Sequence, residues 1–356
     1  MKTLSFLHRW AGGILGLLLA LLGLSGAALV WEGEWVSLPG SDDPVIERVA
    51  DLAEVSEKAI AAGATRITFA SEEIGLHHAA YSGGGGAYFG QDASLADAWS
   101  SMWERPEFWL FDFHHHLFAG ETGELLTGVA GIAGLLFVIT GSILWWRSRR
   151  AFELRLWPRR FQPGPIVRHH RDLGIMVAPL LLISMLTGLG MLYQNTAREL
   201  LGGTEPPAPP KAEEPATGER AAIAPMLVRA KAEYPDAWIR RLTIPSKPGA
   251  AYSVRLRQPE EWTPNGRTTL YFDAFGRLLR ADDPLKGTEG DSIIETFYPV
   301  HSGKVGGTAW KLLLTVSGVG LGVLGLFAVY SFWFRKAAAR TRRRRGIDGK
   351  LGVISA

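Results

Sequence analysis

Nine histidines and no cysteine confine the metal and redox chemistry open to this 356-residue chain. Without thiolates there is no disulfide framework, no cysteine-held iron–sulfur cluster or zinc ribbon, and no covalent c-type haem attachment. A redox group would have to be held non-covalently, by imidazole, carboxylate or thioether. The histidines are patterned. His8 opens His8-Arg9-Trp10-Ala11-Gly12 and His170 opens His170-Arg171-Asp172-Leu173-Gly174, so H-R-x-x-G occurs twice. His114-His115-His116-Leu117-Phe118 and His301-Ser302-Gly303 provide two further sites. His8, Gly12 and Gly16 fall at i, i+4 and i+8, on one helix face against which a flat cofactor could rest.

These histidines border four segments, 11–30, 125–146, 173–193 and 312–334, that contain no Asp, Glu, Lys or Arg. Each is long enough to cross roughly 30 Å of hydrocarbon as a helix. The whole-chain averages, net charge +3 and mean hydropathy +0.07, conceal this and describe no simple cytosolic enzyme. The polar pieces between the spans differ in charge. Residues 31–124 hold four basic and 17 acidic side chains, and 194–311 hold sixteen and fifteen. The short pieces 1–10, 147–172 and 335–356 are basic, which by the positive-inside rule places them in the cytoplasm and the long pieces in the periplasm. The Arg342–Arg345 run beside a span reads as a topology signal or a contact with anionic membrane lipid, not as a nucleic-acid site. Residues 1–27 could also serve as a leader, but the apolar run continues through Ala28, Leu29, Val30 and Trp31, which favours an anchor.

Each long piece reads as a helix followed by an antiparallel sheet. In the first, Ser41-Asp42-Asp43-Pro44 predicts a helix start and residues 44–62 a helix. Strands follow over Thr65–Ala70, Gly75–Tyr81 and Ala87–Gln91, with Gly83–Gly86 as a hairpin loop. His77 and His78, near Glu72 and Glu73, are expected on an exposed loop unless they touch a substrate or metal. In the second, a stiff linker at Pro206–Pro210 precedes a helix over 219–234 and strands over Ile239–Ile244, Ala251–Gln258, Thr268–Asp273 and Leu278–Arg280. Asp273–Arg277 predicts a tight turn. Arg240, Arg241, Arg255 and Arg257 make either a solvated strand face or a surface for an anionic ligand.

Spans one and two with the first module, and spans three and four with the second, look like an internal duplication. Each half has one histidine at the inner edge of its first span and one at the outer edge of its second. His8 is thus expected opposite His170, and His114 opposite His301. Two facing imidazoles from different helices are how a bundle holds b-type haem, and two such haems would carry electrons across a bilayer. His170 is preferred to His169 because it keeps the repeated motif. Three consecutive rings at 114–116 point about 100° apart on a helix, so His114 is the first choice, with His116 and His115 in reserve. Gly303, Gly306 and Gly307 suggest a loop at His301. No nicotinamide or flavin fingerprint is present, so the electron donor would be separate, a membrane quinol or a cytoplasmic reductase.

The expected fold is an α-helical membrane protein, a four-helix transmembrane bundle with two periplasmic α+β modules. Its divisions are 1–30, 31–124, 125–146, 147–172, 173–193, 194–311, 312–334 and 335–356. The chain resembles the PepSY-associated transmembrane family. The resemblance rests on Leu7–Gly12, His114-x-x-Leu117-Phe118, Thr140–Trp146, His170-Arg171-x-x-Gly174 with Leu186-Thr187-Gly188, Val300–Gly303, and a PepSY-like Leu270–Arg277. It implies an iron-regulated inner-membrane protein, with the span-edge histidines at His8, His114, His170 and His301 as haem ligands. It further implies a reductase that releases iron from a periplasmic ferric siderophore or similar ferric complex. It also allows a non-catalytic sensor that binds a periplasmic protein or peptide.

Overall fold

The computed structural model describes residues 1–154, 157–212 and 223–351, with side chains as far as residue 334. The basic tail 335–356, with its Arg342–Arg345 run, lies outside the described side chains, and residues 219–222 of the expected helix lie outside the described residues. The helices are α1 (Lys2–Leu29), α2 (Glu32–Trp35), α3 (Val49–Ala61), α4 (Pro106–His116), α5 (Gly120–Ser148), α6 (Pro163–Leu192), α7 (Gln194–Leu201), α8 (Ile223–Glu233), α9 (Glu289–Ser302) and α10 (Gly307–Leu351). The strands are β1 (Ala64–Thr68), β2 (His77–Tyr81), β3 (Gly86–Phe89), β4 (Leu95–Trp99), β5 (Trp238–Thr243), β6 (Tyr252–Arg257), β7 (Thr268–Phe272) and β8 (Leu278–Asp282). Two units divide the chain. One comprises Met1–Val30, Phe111–Leu189 and Gly306–Ala356, the other Trp31–Leu110 and Gly190–Val305.

α1, α5, α6 and α10 contain the four uncharged segments except Val30 and Tyr193, and among the described residues they are the helices long and apolar enough to cross a membrane. The helices run past the apolar segments into their charged flanks, so His8 and His170 stand on helices and not before them. Ile14, Leu17 and Leu21 of α1 and Leu125, Val129, Ile132 and Leu136 of α5 face outward, an exterior that suits lipid and not water. Where helices meet, side chains are small. A Cβ on Gly16 would lie 2.8 Å from the carbonyl oxygen of Gly325, and one on Gly23 would lie 2.6 Å from that of Gly318. The ascending order on α1 matches a descending order on α10, so the pair is antiparallel. Both pairs repeat after seven residues, two turns along one face, and glycine lets the backbones approach. Pro179 lies within α6 without ending it.

The second unit is built on one eight-stranded sheet of order β4-β3-β2-β1-β5-β6-β7-β8. The two modules read separately from the sequence meet here, because β1 pairs antiparallel with β5, Ile67 opposite Leu242. Each four-stranded half would otherwise expose an edge of unpaired N–H and C=O groups, and joining the edges satisfies both. Both halves run helix then four strands, as a duplication requires. α3 and α8 cover one face, with Leu52, Val55, Met226 and Leu227 in a core with Ile67, Leu242, Val254, Leu270 and Phe272.

Several local expectations change. Residues 44–48 are not helical and α3 begins after Arg48, because the Gln91 side chain donates to Pro44 O at 3.0 Å and accepts from Ile46 N–H at 2.7 Å, holding that stretch extended. β4 carries no apolar alternation and was not foreseen. The turn at Asp273 forms as expected, its carboxylate accepting from the backbone N–H groups of Phe275 and Arg277, each at 2.9 Å.

His77 and His78 lie in strand β2, not on an exposed loop. His77 accepts the backbone N–H of Ala70 through Nδ1 at 3.0 Å, and His78 stacks on Phe108 and Trp99 with centroids 5.0 and 5.6 Å away. Burial lowers both to about 4, helped by the guanidinium of Arg240 at His77 and by those of Arg66, Arg241 and Arg105 at His78. An unfolded chain, with histidines near 6.5, binds protons between these values that the folded unit does not. Stability is therefore whole above about pH 6.5 and is lost as pH falls toward 4. Thermal midpoints recorded from pH 7.5 to 4.5 should decline, and His78→Phe should make the decline shallower; a flat profile would contradict the assignment.

Candidate functional site

Helix α1 carries His8 and α6 carries His170 to one place in the first unit. Their ring centroids are 6.4 Å apart and the rings stand 81° to each other. His8 Nδ1 lies 2.8 Å from Thr140 Oγ1 on α5. That hydroxyl sends its own proton to Leu136 O at 2.6 Å, so it accepts from His8 Nδ1–H. His170 Nδ1 lies 3.1 Å from Leu324 O on α10. A carbonyl only accepts, so His170 Nδ1 is also protonated. The chemistry of the partners thus fixes one tautomer twice, leaving Nε2 of each ring as the nitrogen with a lone pair. Phe137 sets its edge against His8 at 5.2 Å.

A cavity of ≈ 390 Å³ opens on both rings and is lined by Gly12, Gly16, Gly134, Gly141, Gly174 and Gly325. These glycines do two jobs. A Cβ on Gly141 would reach within 3.5 Å of His8 Cε1, whereas Cβ atoms on Gly12 and Gly16 would meet Ala328 and Gly325. The Gly12–Gly16 face therefore serves the α1–α10 approach as well as the cavity. Arg9, Arg168 and Arg171 line the same space, as does Trp145, whose buried Nε1–H has no partner among the described residues. Thr140 and Trp145 were not read as site residues from the sequence. Thr140 could have been found only through the Thr140–Trp146 motif, because its partner is 132 positions away.

His169 is not in that cavity. It is buried, with neither ring nitrogen bonded among the described residues, and its ring sets an edge to Phe327 at 5.5 Å. One residue of helix turns a ring by about 100°, enough to separate its surroundings from those of His170.

The three histidines of α4 also separate. His114 Nδ1 lies 2.9 Å from Ser25 Oγ on α1, and a Cβ on Gly26 would lie 3.0 Å from its Cε1. His115 and His116 turn back on their own helix, to Phe111 O and Asp112 Oδ1, each at 3.0 Å. Of the three rings, His114 is the one that reaches a neighbouring helix through Nδ1. α4 is not continuous with α5, since Leu117 and Phe118 take φ of 49° and 60°, a left-handed turn that costs non-glycine residues about 1–2 kcal/mol each. His301 belongs to the second unit and is helical, in the last turn of α9; Gly303, at φ 76°, closes that helix. The expected loop starts two residues later than the glycines suggested. His114 and His301 belong to different units.

No curated protein matches the chain. The family model of the PepSY-associated TM region matches residues 6–336, which include all four of the span-edge histidines, and the chain is a membrane protein that belongs to that family.

Proposed function

We propose that the protein is an inner-membrane electron carrier that holds b-type haem between His8 and His170 and reduces an external ferric complex. The observation that carries this is the inner histidine pair facing across a glycine-lined cavity. His8 and His170, with ring centroids 6.4 Å apart and Nε2 of each free to ligate, would be the residues that hold the haem iron. Among the described residues no group of three or more His, Asp or Glu could hold a bare metal ion. A two-imidazole site therefore suits a metal that brings its own equatorial donors. Arg9 and Arg168 offer charge to the haem carboxylates, and the orphaned Trp145 Nε1–H offers a donor.

Haem, when bound, supplies a one-electron couple. The chain's own residues keep both imidazoles neutral and oriented, exclude water with apolar helices and fix the Nδ1 protons on Thr140 and Leu324. A second haem would take His114 as a ligand, with His116 and His115 in reserve and Ser25 Oγ, 2.9 Å from His114 Nδ1, orienting the ring. Electrons would enter from a quinol or a cytoplasmic reductase and reach a ferric siderophore or similar chelate in the periplasm, the termini being cytoplasmic. One electron converts Fe(III) to Fe(II), which hard oxygen ligands hold more weakly, so the iron is released.

Purified protein should show a Soret band, and on reduction the α and β bands of bis-histidine b haem. A folded, colourless protein that takes up no haem would end this reading. Thr140→Val should keep the haem and weaken its retention by about 10–100-fold, with a shifted reduction potential. An unchanged off-rate and potential would show that the hydroxyl does not act through His8.

A further inference from the structure

The sheet face turned away from α3 and α8 carries a row of charge that the haem reading does not use, beside Glu295 and Tyr298 of α9. Side chains alternate across a strand. Ile67, Leu242 and Val254 enter the core beneath α3 and α8, so their neighbours Arg66, Arg241 and Arg255 project from the other face. Arg241 stands directly opposite Arg255 on the next strand, and like charges so placed repel. Arg267 lies at the start of the following strand, and its Nε is 3.0 Å from Glu295. Among the described residues that is the ion pair of this row; the Nε of Arg241 is buried without a hydrogen-bond partner. Arg240 and Arg257 are engaged elsewhere. A bulge between Ile239 and Arg241 diverts Arg240 to Ala70 O at 2.6 Å and Pro264 O at 3.1 Å, and Arg257 Nε approaches Glu261 O at 3.5 Å.

We infer that Arg66, Arg241, Arg255 and Arg267 form a binding site for an anionic, carboxylate-rich metal chelate. Four guanidiniums on one sheet face, with a buried N–H left unpaired, constitute a cost that a multivalent oxyanion would remove. Burial, then the charges of Arg255 and Arg66, lowers Arg241 to about 10, so the repulsion is felt at the residue nearest the centre. Guanidinium forks match carboxylates two bonds at a time, which a neutral chelate of the same size cannot exploit. The inference rests on the reductase reading only for naming the chelate as the substrate; the site itself does not require electron flow.

The test uses gallium, which has the charge and size of Fe(III) and is not reduced. Full-length protein in detergent is titrated calorimetrically with gallium citrate, a neutral gallium trihydroxamate and inorganic phosphate. Gallium citrate should bind at least tenfold more tightly than either of the others and more weakly as salt rises. Arg241→Gln and Arg255→Gln should each lose at least tenfold in that affinity. Without ligand the two variants should melt no lower than wild type, since a repulsion is removed, and citrate chelate should raise the midpoint only of wild type. Equal binding of the neutral chelate or of phosphate, or variants of undiminished affinity, would overturn the site. A chain that binds gallium citrate through these arginines but takes up no haem would sink the reductase reading and leave the site standing.

Discussion

Alanine in place of His170 should remove one haem per chain and leave the other. His8→Ala should remove the same one, and the double variant should lose no more than either single. This non-additivity follows from the geometry, two rings 6.4 Å apart on one cavity, each from a different helix. Residues acting as one unit do not add. His169→Ala should leave the spectrum intact, since His169 lies outside that cavity against Phe327. Reduction of a ferric chelate by either single variant should fall at least 100-fold, because removing the imidazole exceeds the 10–100-fold cost of disturbing the group bonded to its Nδ1. The haem-to-protein ratio and the reduced-minus-oxidised spectrum check the result. Two haems retained in His170→Ala would move the site elsewhere.

The second large effect concerns packing. Gly23→Val should cost about 3 kcal/mol, near the upper end of typical overpacking. Its Cβ would lie 2.6 Å from the Gly318 carbonyl oxygen and 2.9 Å from Leu321 Cβ. The first obstacle is backbone, so no rotamer change relieves it and α1 must move away from α10. Gly23 does not line the histidine cavity, so the loss should appear first as a lowered midpoint in detergent. Gly164→Ala, with nothing within 4 Å and ordinary helical φ, should stay within about 0.5 kcal/mol of wild type. Equal midpoints for the two variants would show that the small residues do not set the α1–α10 distance.

Much of this was legible in the chain itself. Four uncharged windows announced the four long helices, because hydrocarbon tolerates few alternatives. Alternation and turn chemistry located seven of the eight strands to within two residues at most ends; β4, with Leu95 exposed and no apolar face, had no pattern to betray it. The repeated H-R-x-x-G motif singled out His8 and His170, and the 100° step between adjacent rings correctly warned that the histidines of 114–116 would not share surroundings. The acidic Ser41–Pro44 start misled, because a glutamine half a module away decides whether that stretch is helix.

Sequence alone thus determined which segments are long and apolar enough to cross a membrane and which residue types could hold a redox group, and it suggested a chain of two similar halves. These are local or periodic properties, readable wherever burial repeats at a fixed spacing. Tertiary structure decided that the two external sheets are one, that Thr140 and the Leu324 carbonyl set the tautomers of the inner pair, and that Gly16 and Gly23 serve helix approach. It also decided which arginines stand unpaired. The sheet junction, the tautomers and the helix approach each depend on groups more than a hundred positions apart meeting within a few ångströms, and no spacing along the chain encodes such a meeting.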